Sequence, residues 1–299
     1  MALLNLAKLI KDEKMKLKNR LSAVGLFFLS IFGILLIKTT LVSNAVTLNT
    51  NQTAILNNQF KNTTGAFVLS DFNNKQNIRY NGERCNKRFS PYSTFKIANS
   101  LIALETGVIK DENVMTSYDK VKHPAESWWP KIWTQDHNMR SAIKNSVVWY
   151  YQEIAKQVGK ENYNKYLKQF QYGNEDVSGP IDQFWLDSSL KISPNEEVEF
   201  LKRFYKSELP VSKRTTDIVK DILVLEKTDE YTLSGKTGLG SKKDSGTSLG
   251  WFVGYLEKKD DVYFFATNLE DKSREALIPK RVEITKRILT ELGLLEPKT

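Results

Sequence analysis

Hydrophobic positions change period along this chain. Near both ends they come in short runs rich in β-branched and aromatic residues, whereas through the middle they recur every three to four positions. Gly65–Leu69 and Ile78–Tyr80 predict two paired strands around Asn73-Asn74. From Pro91 and Ser93 a helical spacing begins, with apolar residues at 97, 98, 101, 102 and 104 and a stop at Gly107. This helix is apolar on more than one side, which predicts burial. A long helix is expected over Met139–Val158, ending at Gly159 and containing Ser146-Val147-Val148. Further helices are expected over Glu161–Phe170, Asn195–Phe204 and Ser212–Leu223. After residue 230 the pattern turns to strands at Tyr231–Lys236, Gly250–Glu257 and Val262–Asn268, with Gly-rich turns between. A last amphipathic helix is expected from Pro279 to Leu292, closed by Gly293. Strands at both ends with helices between imply an α+β domain: one sheet built from both termini, with a helical subdomain inserted over roughly residues 90–215.

The first 45 residues differ from the rest. Residues 21–37 carry no charge, Lys16, Lys18 and Arg20 precede them, and Ser43-Asn44-Ala45 has the small residues a signal peptidase reads. A secretory signal peptide cut after Ala45 is expected, with an uncleaved membrane anchor as the other reading; Met15 is a second candidate start. The catalytic domain would then be residues 46–299, exported to the periplasm or the exterior. Val46–Lys61 is polar and Asn-rich, a tether or an early strand.

Charge changes little once it is located. The net charge is +9, of which residues 1–45 hold +5, leaving +4 on the remainder, and no basic run is interleaved with stacking aromatics. No nucleic-acid partner is expected. One cysteine, Cys85, precludes an intrachain disulfide and reads as an inert thiol. His123 and His137 are the two histidines, too few for a histidine-rich zinc site, so no metal is expected. The segment 110–137 reads as loop and holds Trp128, Trp129, Pro130 and Trp133, either a plug in the core or the wall of a groove for a small ligand.

Candidate chemistry begins at Ser93 and Lys96. Three residues apart on a helix, they share a face, and a hydroxyl and an amine so placed can share a proton. At a buried helix N-terminus, the dipole and desolvation both push the amine towards its neutral, basic form. The spacing Ser-x-x-Lys also occurs at Ser117, Ser141 and Ser188, so context has to choose. Lys236-Thr237-Gly238 ends a predicted strand, where a lysine beside a threonine hydroxyl can hold a carboxylate and Gly238 lets the backbone approach a ligand. The order decides: Ser-x-x-Lys, Ser-x-Val, Tyr-Gly-Asn, then Lys-Thr-Gly.

From about residue 60 to 292 the chain resembles the class D serine β-lactamases, the oxacillinase family. The resemblance rests on Ser93-Thr94-Phe95-Lys96, Ser146-Val147-Val148, Tyr172-Gly173-Asn174, Trp185-Leu186, Lys236-Thr237-Gly238, Trp251-Phe252-Val253-Gly254 and Tyr263-Phe264-Phe265-Ala266. It implies an antiparallel sheet flanked by helices, with an all-helical subdomain and the site between them. It further implies that Ser93 is the nucleophile attacking the lactam carbonyl of a penicillin, and that the N–H groups of Ser93 and Leu239 form the oxyanion hole. Lys96 would be the general base, N-carboxylated by carbon dioxide, in a pocket that includes Val148, Trp185 and Leu186. Ser146 would relay a proton to the lactam nitrogen. Lys236, Thr237, Gly238 and Arg281 would bind the substrate carboxylate, with Arg274 as the alternative to Arg281, and Trp133 would line the groove. Tyr172 and Asn174 read as structural. No cofactor beyond carbon dioxide is expected, and the oligomeric state is left open.

Three other readings share these residues. A β-lactam sensor domain would stay acylated, and a penicillin-binding transpeptidase or carboxypeptidase would carry Ser-x-Asn where this chain has Ser146-Val147-Val148. A binding or membrane-interaction module is favoured only by the hydrophobic N-terminus.

Overall fold

A computed structural model describes residues 49–73, 76–242, 245–259 and 261–296. The expected signal or anchor at residues 1–45 lies outside the described residues. Among those described, no helix is long and apolar enough to cross a membrane.

Six strands form one antiparallel sheet in the order β2-β1-β6-β5-β4-β3. They are β1 (Thr64–Asp71), β2 (Asn77–Tyr80), β3 (Val224–Lys227), β4 (Tyr231–Ser241), β5 (Ser248–Lys258) and β6 (Asp261–Asp271). Strands from both ends of the chain meet where β1 pairs β6, with Val68 opposite Ala266. That is the expected sheet with an insertion, and β3 is an edge strand the hydrophobic pattern did not predict.

Alternation along the strands builds a core on each face. Val68, Trp251, Val253 and Phe264 point to one side, where they join the helical insertion. Phe67, Leu69, Phe252 and Phe265 point to the other, against Leu56, Leu277 and Ile288. These last three belong to α1 (Thr50–Gln59) and to the C-terminal α8 (Arg274–Glu291). α1 corrects the expectation of a tether or strand before residue 61: Asn49 closes a capping box with Gln52, which outweighs the weakly apolar sequence. α8 begins five residues earlier than expected, because Ser273 caps it and Pro279 is accommodated inside it.

Between the sheet halves come α2 (Gly82–Asn86), a 3₁₀ turn at Tyr92–Phe95 and α3 (Lys96–Glu105). α4 (Met139–Lys144), α5 (Val148–Phe170), α6 (Pro194–Tyr205) and α7 (Lys213–Ile222) follow. Every residue of α3 from Lys96 to Leu104 is buried, as its apolar breadth predicts. Gly107 leaves the helix in the left-handed region at φ 73°. The single helix expected over 139–158 is two: the chain breaks between α4 and α5, and Ser146 adopts φ 56°. At Gly159 the backbone leaves helical geometry (φ 76°, ψ 160°), so α5 is two helices meeting at a kink, as expected from a helix ending at Gly159 and another over 161–170.

Candidate active site

The 3₁₀ turn that carries Ser93 lies across β4 and β5 and is pinned there from several directions. Tyr92 sits at φ 50°, an uncommon region for a residue with a side chain, and is held by its N–H donating to Trp185 O at 3.0 Å. Its hydroxyl donates to Ser241 O at 2.9 Å, and its ring lies over Gly240. A Cβ on Gly240 would come within 1.9 Å of that ring, and one on Gly238 within 2.9 Å of Pro91 O. Trp251 Nε1 donates to Ser90 O at 3.0 Å. The glycine of Lys-Thr-Gly is therefore needed for the turn to reach the strand. That tripeptide lies in the interior of β4, not at a strand end as expected, because β4 runs on to Ser241 against β5.

Lys96 opens α3 and is wholly buried, and its Nζ donates to Ser93 Oγ at 2.8 Å. Burial, and secondarily the charge of Lys236, hold its amine well below the ordinary lysine range. The Tyr151 ring lies behind it, 5.3 Å from Nζ to centroid. No other Ser-x-x-Lys spacing brings its pair together. Ser117 donates to Asp136, Ser141 is engaged by His137 and Asn138, and Lys191 donates to Ser90.

Ser146 stands opposite. The break between α4 and α5 turns its hydroxyl out of helical register, and Lys236 Nζ donates to it at 3.1 Å and to Thr237 O at 3.0 Å. Lys236 is also buried, and burial, with help from Arg281, lowers its ammonium to about 7. Trp133 fixes the break by donating its indole N–H to Asn145 O at 2.9 Å.

A cleft of about 420 Å³ opens over these groups, lined among others by Ser93, Ser146, Val148, Leu186, Thr237 and Leu239. Both arginines weighed for carboxylate binding line it. Arg281 is half-turned to the strand, its Nη1 donating to Gly238 O at 2.9 Å, while its Nε is buried without a partner among the described residues. Arg274 lies at the mouth, 5.9 Å from the ring centroid of Trp128. The tryptophan loop proves to be both plug and wall: Trp133 is buried, Trp128 is half exposed, and each faces the cleft. With Arg281 and Arg274 against the single carboxylate Glu275 in its lining, the cleft favours an anionic ligand.

Trp185 packs its ring on Phe95, and its indole N–H is buried with no hydrogen-bond partner among the described residues. The remaining expected residues are structural. Asn174 Nδ2 donates to Ser189 O, and Tyr172 is wholly buried. His137 bridges Ser141 and Ile132 O, and His123 faces Glu153 at 3.1 Å. Cys85 is buried, its thiol pushed up to about 11 by desolvation. Tyr92, Gly240 and Thr94 were not singled out by spacing; the one sequence signal for them is their adjacency to Ser93 and Lys-Thr-Gly.

Residues 45–290 match the family described as the penicillin binding protein transpeptidase domain. The chain is 42% identical over 240 residues, 80% of its length, to the protein named "Probable beta-lactamase YbxI" of Bacillus subtilis (strain 168), covering 85% of that protein. A class D β-lactamase structure from Nostoc superposes with a TM-score of 0.75 at 43% identity, covering 80% of this chain and 99% of that one. The regulatory protein BlaR1 of Bacillus licheniformis is 38% identical over 77% of this chain, which spans only 37% of BlaR1.

Proposed function

Because the chain belongs to the class D serine β-lactamases, we propose that it hydrolyses the β-lactam amide of penicillins through an acyl-enzyme on Ser93. The observation that carries this is the Lys96–Ser93 pair: an amine 2.8 Å from a hydroxyl, wholly buried, with no carboxylate partner among the described residues. A neutral amine so placed accepts the Ser93 proton as Oγ bonds to the lactam carbonyl carbon. The C–N bond then breaks, and Ser146, itself hydrogen-bonded to Lys236, delivers a proton to the departing nitrogen. Backbone N–H groups of Ser93 and Leu239 face the developing oxyanion in this reading. Lys236, Thr237 and Arg281 hold the substrate carboxylate, and Arg281's unpartnered Nε favours it over Arg274 for that role.

Hydrolysis of the ester needs a group that takes a proton from an incoming water. A carbamate, formed by adding carbon dioxide to the Lys96 amine, would supply that base. The residues fit such a group. Lys96 is buried and held neutral, the indole N–H of Trp185, whose ring packs on Phe95, lacks a partner among the described residues, and Val148 and Leu186 line the cleft with Ser93. An apolar Val148, in place of the polar Asn that the resemblance gives the sensors, also supports turnover over the sensor reading. The uncharged run at residues 21–37 supports export of the enzyme.

An intact-mass time course of the protein with a penicillin tests the proposal. A Ser93 adduct is expected to appear and then vanish as substrate is consumed. At acid pH, where Lys96 takes a proton, the adduct should accumulate and added bicarbonate should clear it. An adduct that persists at every pH and bicarbonate concentration would identify a sensor or transpeptidase instead.

A further inference from the structure

One ionisable group next to the nucleophile turn is used by none of these steps. Glu197, in the first turns of α6, is wholly buried and does not line the cleft. Its Oε1 lies 2.6 Å from Thr94 Oγ1 and 3.3 Å from the Tyr172 hydroxyl, and its Oε2 has no partner among the described residues. The turn presents Thr94 to it, and the segment after α5 presents Tyr172. Its own helix presents Glu196, whose carboxylate is already held by Arg88 and by the Ser193 N–H. No cation is paired with Glu197 among the described residues. The Tyr172 ring that reaches it is itself packed between those of Phe95 and Phe200.

Thr94 makes this carboxyl consequential. Its hydroxyl has one proton and two acceptors in reach, Pro91 O at 3.0 Å and Glu197 Oε1 at 2.6 Å. An ionised Glu197 only accepts, so it takes that proton. A neutral Glu197 can instead donate to Thr94 Oγ1, which frees the Thr94 proton for Pro91 O. Pro91 O already accepts from the Thr94 backbone N–H at 3.2 Å. The second bond then closes the turn at both Thr94 donors, with Ser93 inside it. We propose that Glu197 is a positioning residue for acylation, a protonation switch acting through Thr94 on the turn that holds Ser93: neutral, it latches the turn and speeds acylation; ionised, it releases the latch. Burial is the largest influence on this carboxyl and pushes it up to about 7, against the opposing hydrogen bonds of Thr94 and Tyr172. The switch therefore falls near neutral pH.

The inference rests on Ser93 being the residue acylated, and the two can fail separately. Rates of Ser93 acylation by a penicillin are measured across neutral pH for the wild type, Glu197→Gln, Thr94→Val and the double variant, all as the full chain. Titration of Lys96 and Lys236 is common to all four, so ratios of rates isolate Glu197. The carboxamide cannot ionise and can donate to Thr94, so the Glu197→Gln to wild-type ratio should step up by roughly three- to tenfold as pH rises through the transition, the worth of one hydrogen bond. In the Thr94→Val background the same ratio should be flat. Should Glu197→Gln not fold, the wild-type to Thr94→Val ratio must itself show the step. A flat ratio where Thr94 is present, or a step that persists without its hydroxyl, overturns the inference while leaving the hydrolase intact. No Ser93 adduct at any pH overturns both.

Discussion

An ammonium group without a counter-ion is costly to bury, by several kcal/mol after relaxation, so a wholly buried lysine with only a serine for company is held as an amine. Lys96 is that lysine, and its neutrality is the condition that both proposed roles share, taking a proton from Ser93 and accepting carbon dioxide. Spacing alone could nominate Ser93 but not separate it from Ser117, Ser141 and Ser188. What separates them is desolvation, a property of the whole packing that reaches the sequence only as an unusually apolar helix behind the pair. Trp185 carries the complementary test. Trp185→Phe keeps the ring against Phe95 and Phe184 while deleting one buried N–H. Acylation should be nearly unchanged, whereas deacylation should fall on the order of tenfold to a hundredfold, the worth of a hydrogen bond to a charged group, and regain rate with added bicarbonate. Pre-steady-state kinetics reads both steps, and equal loss of both would remove the indole from the lysine's pocket.

Elements matter here through how closely they approach. The nucleophile turn leans on β4 with no side chain between Gly240 and the Tyr92 ring, and Tyr92 is tethered at both its backbone N–H and its hydroxyl. Gly240→Ala therefore has to displace Tyr92, and with it Ser93. Acylation should drop by about a hundredfold, the scale of an ångström-sized misplacement, while the sheet survives. Gly82→Ala is the control: nothing lies within 4 Å of the added methyl, and melting temperature and activity should both stay near wild type. Close approaches of this kind join distant segments, so they leave little trace in local periodicity. The same limit explains the break before Ser146. Residues 139–158 have a continuous helical period, but Trp133, from the loop before α4, holds Asn145 O and lets Ser146 turn out at φ 56°. The middle of the insertion and the central strands, where burial follows a single period, were legible; β3, the start of α8 and α1, set by caps and edges, were not.

At the scale of the whole molecule, buried ionisable groups tie stability to pH in opposite directions. Glu197 is raised from an ordinary 4.5 to about 7, so the fold holds its proton more tightly than the unfolded chain does. Its contribution is complete below 4.5 and is lost as pH rises through about 7. Lys236 is lowered from 10.5 to about 7, so its contribution is complete above 10.5 and is lost as pH falls through about 7. Together they place a trough of stability near neutrality, its acidic arm about 3 kcal/mol and its basic arm about 5 kcal/mol deep at most. Denaturant unfolding followed against pH should show the trough, and Glu197→Gln should flatten its acidic arm alone. An acidic arm unchanged in the variant would mean that Glu197 titrates as an ordinary carboxylate. The sheet has a consequence of another kind, in time. Val68 cannot find Ala266 until β6 has been made, and β1 has only β2 to pair with before then. A chain leaving the ribosome thus carries its nucleophile turn long before β4 and β5 exist to support it, and closure of so long a loop makes the final pairing slow. Synthesis halted before residue 231 would leave an open sheet edge and a reactive-site turn with nothing beneath it, material for proteases rather than a weaker enzyme.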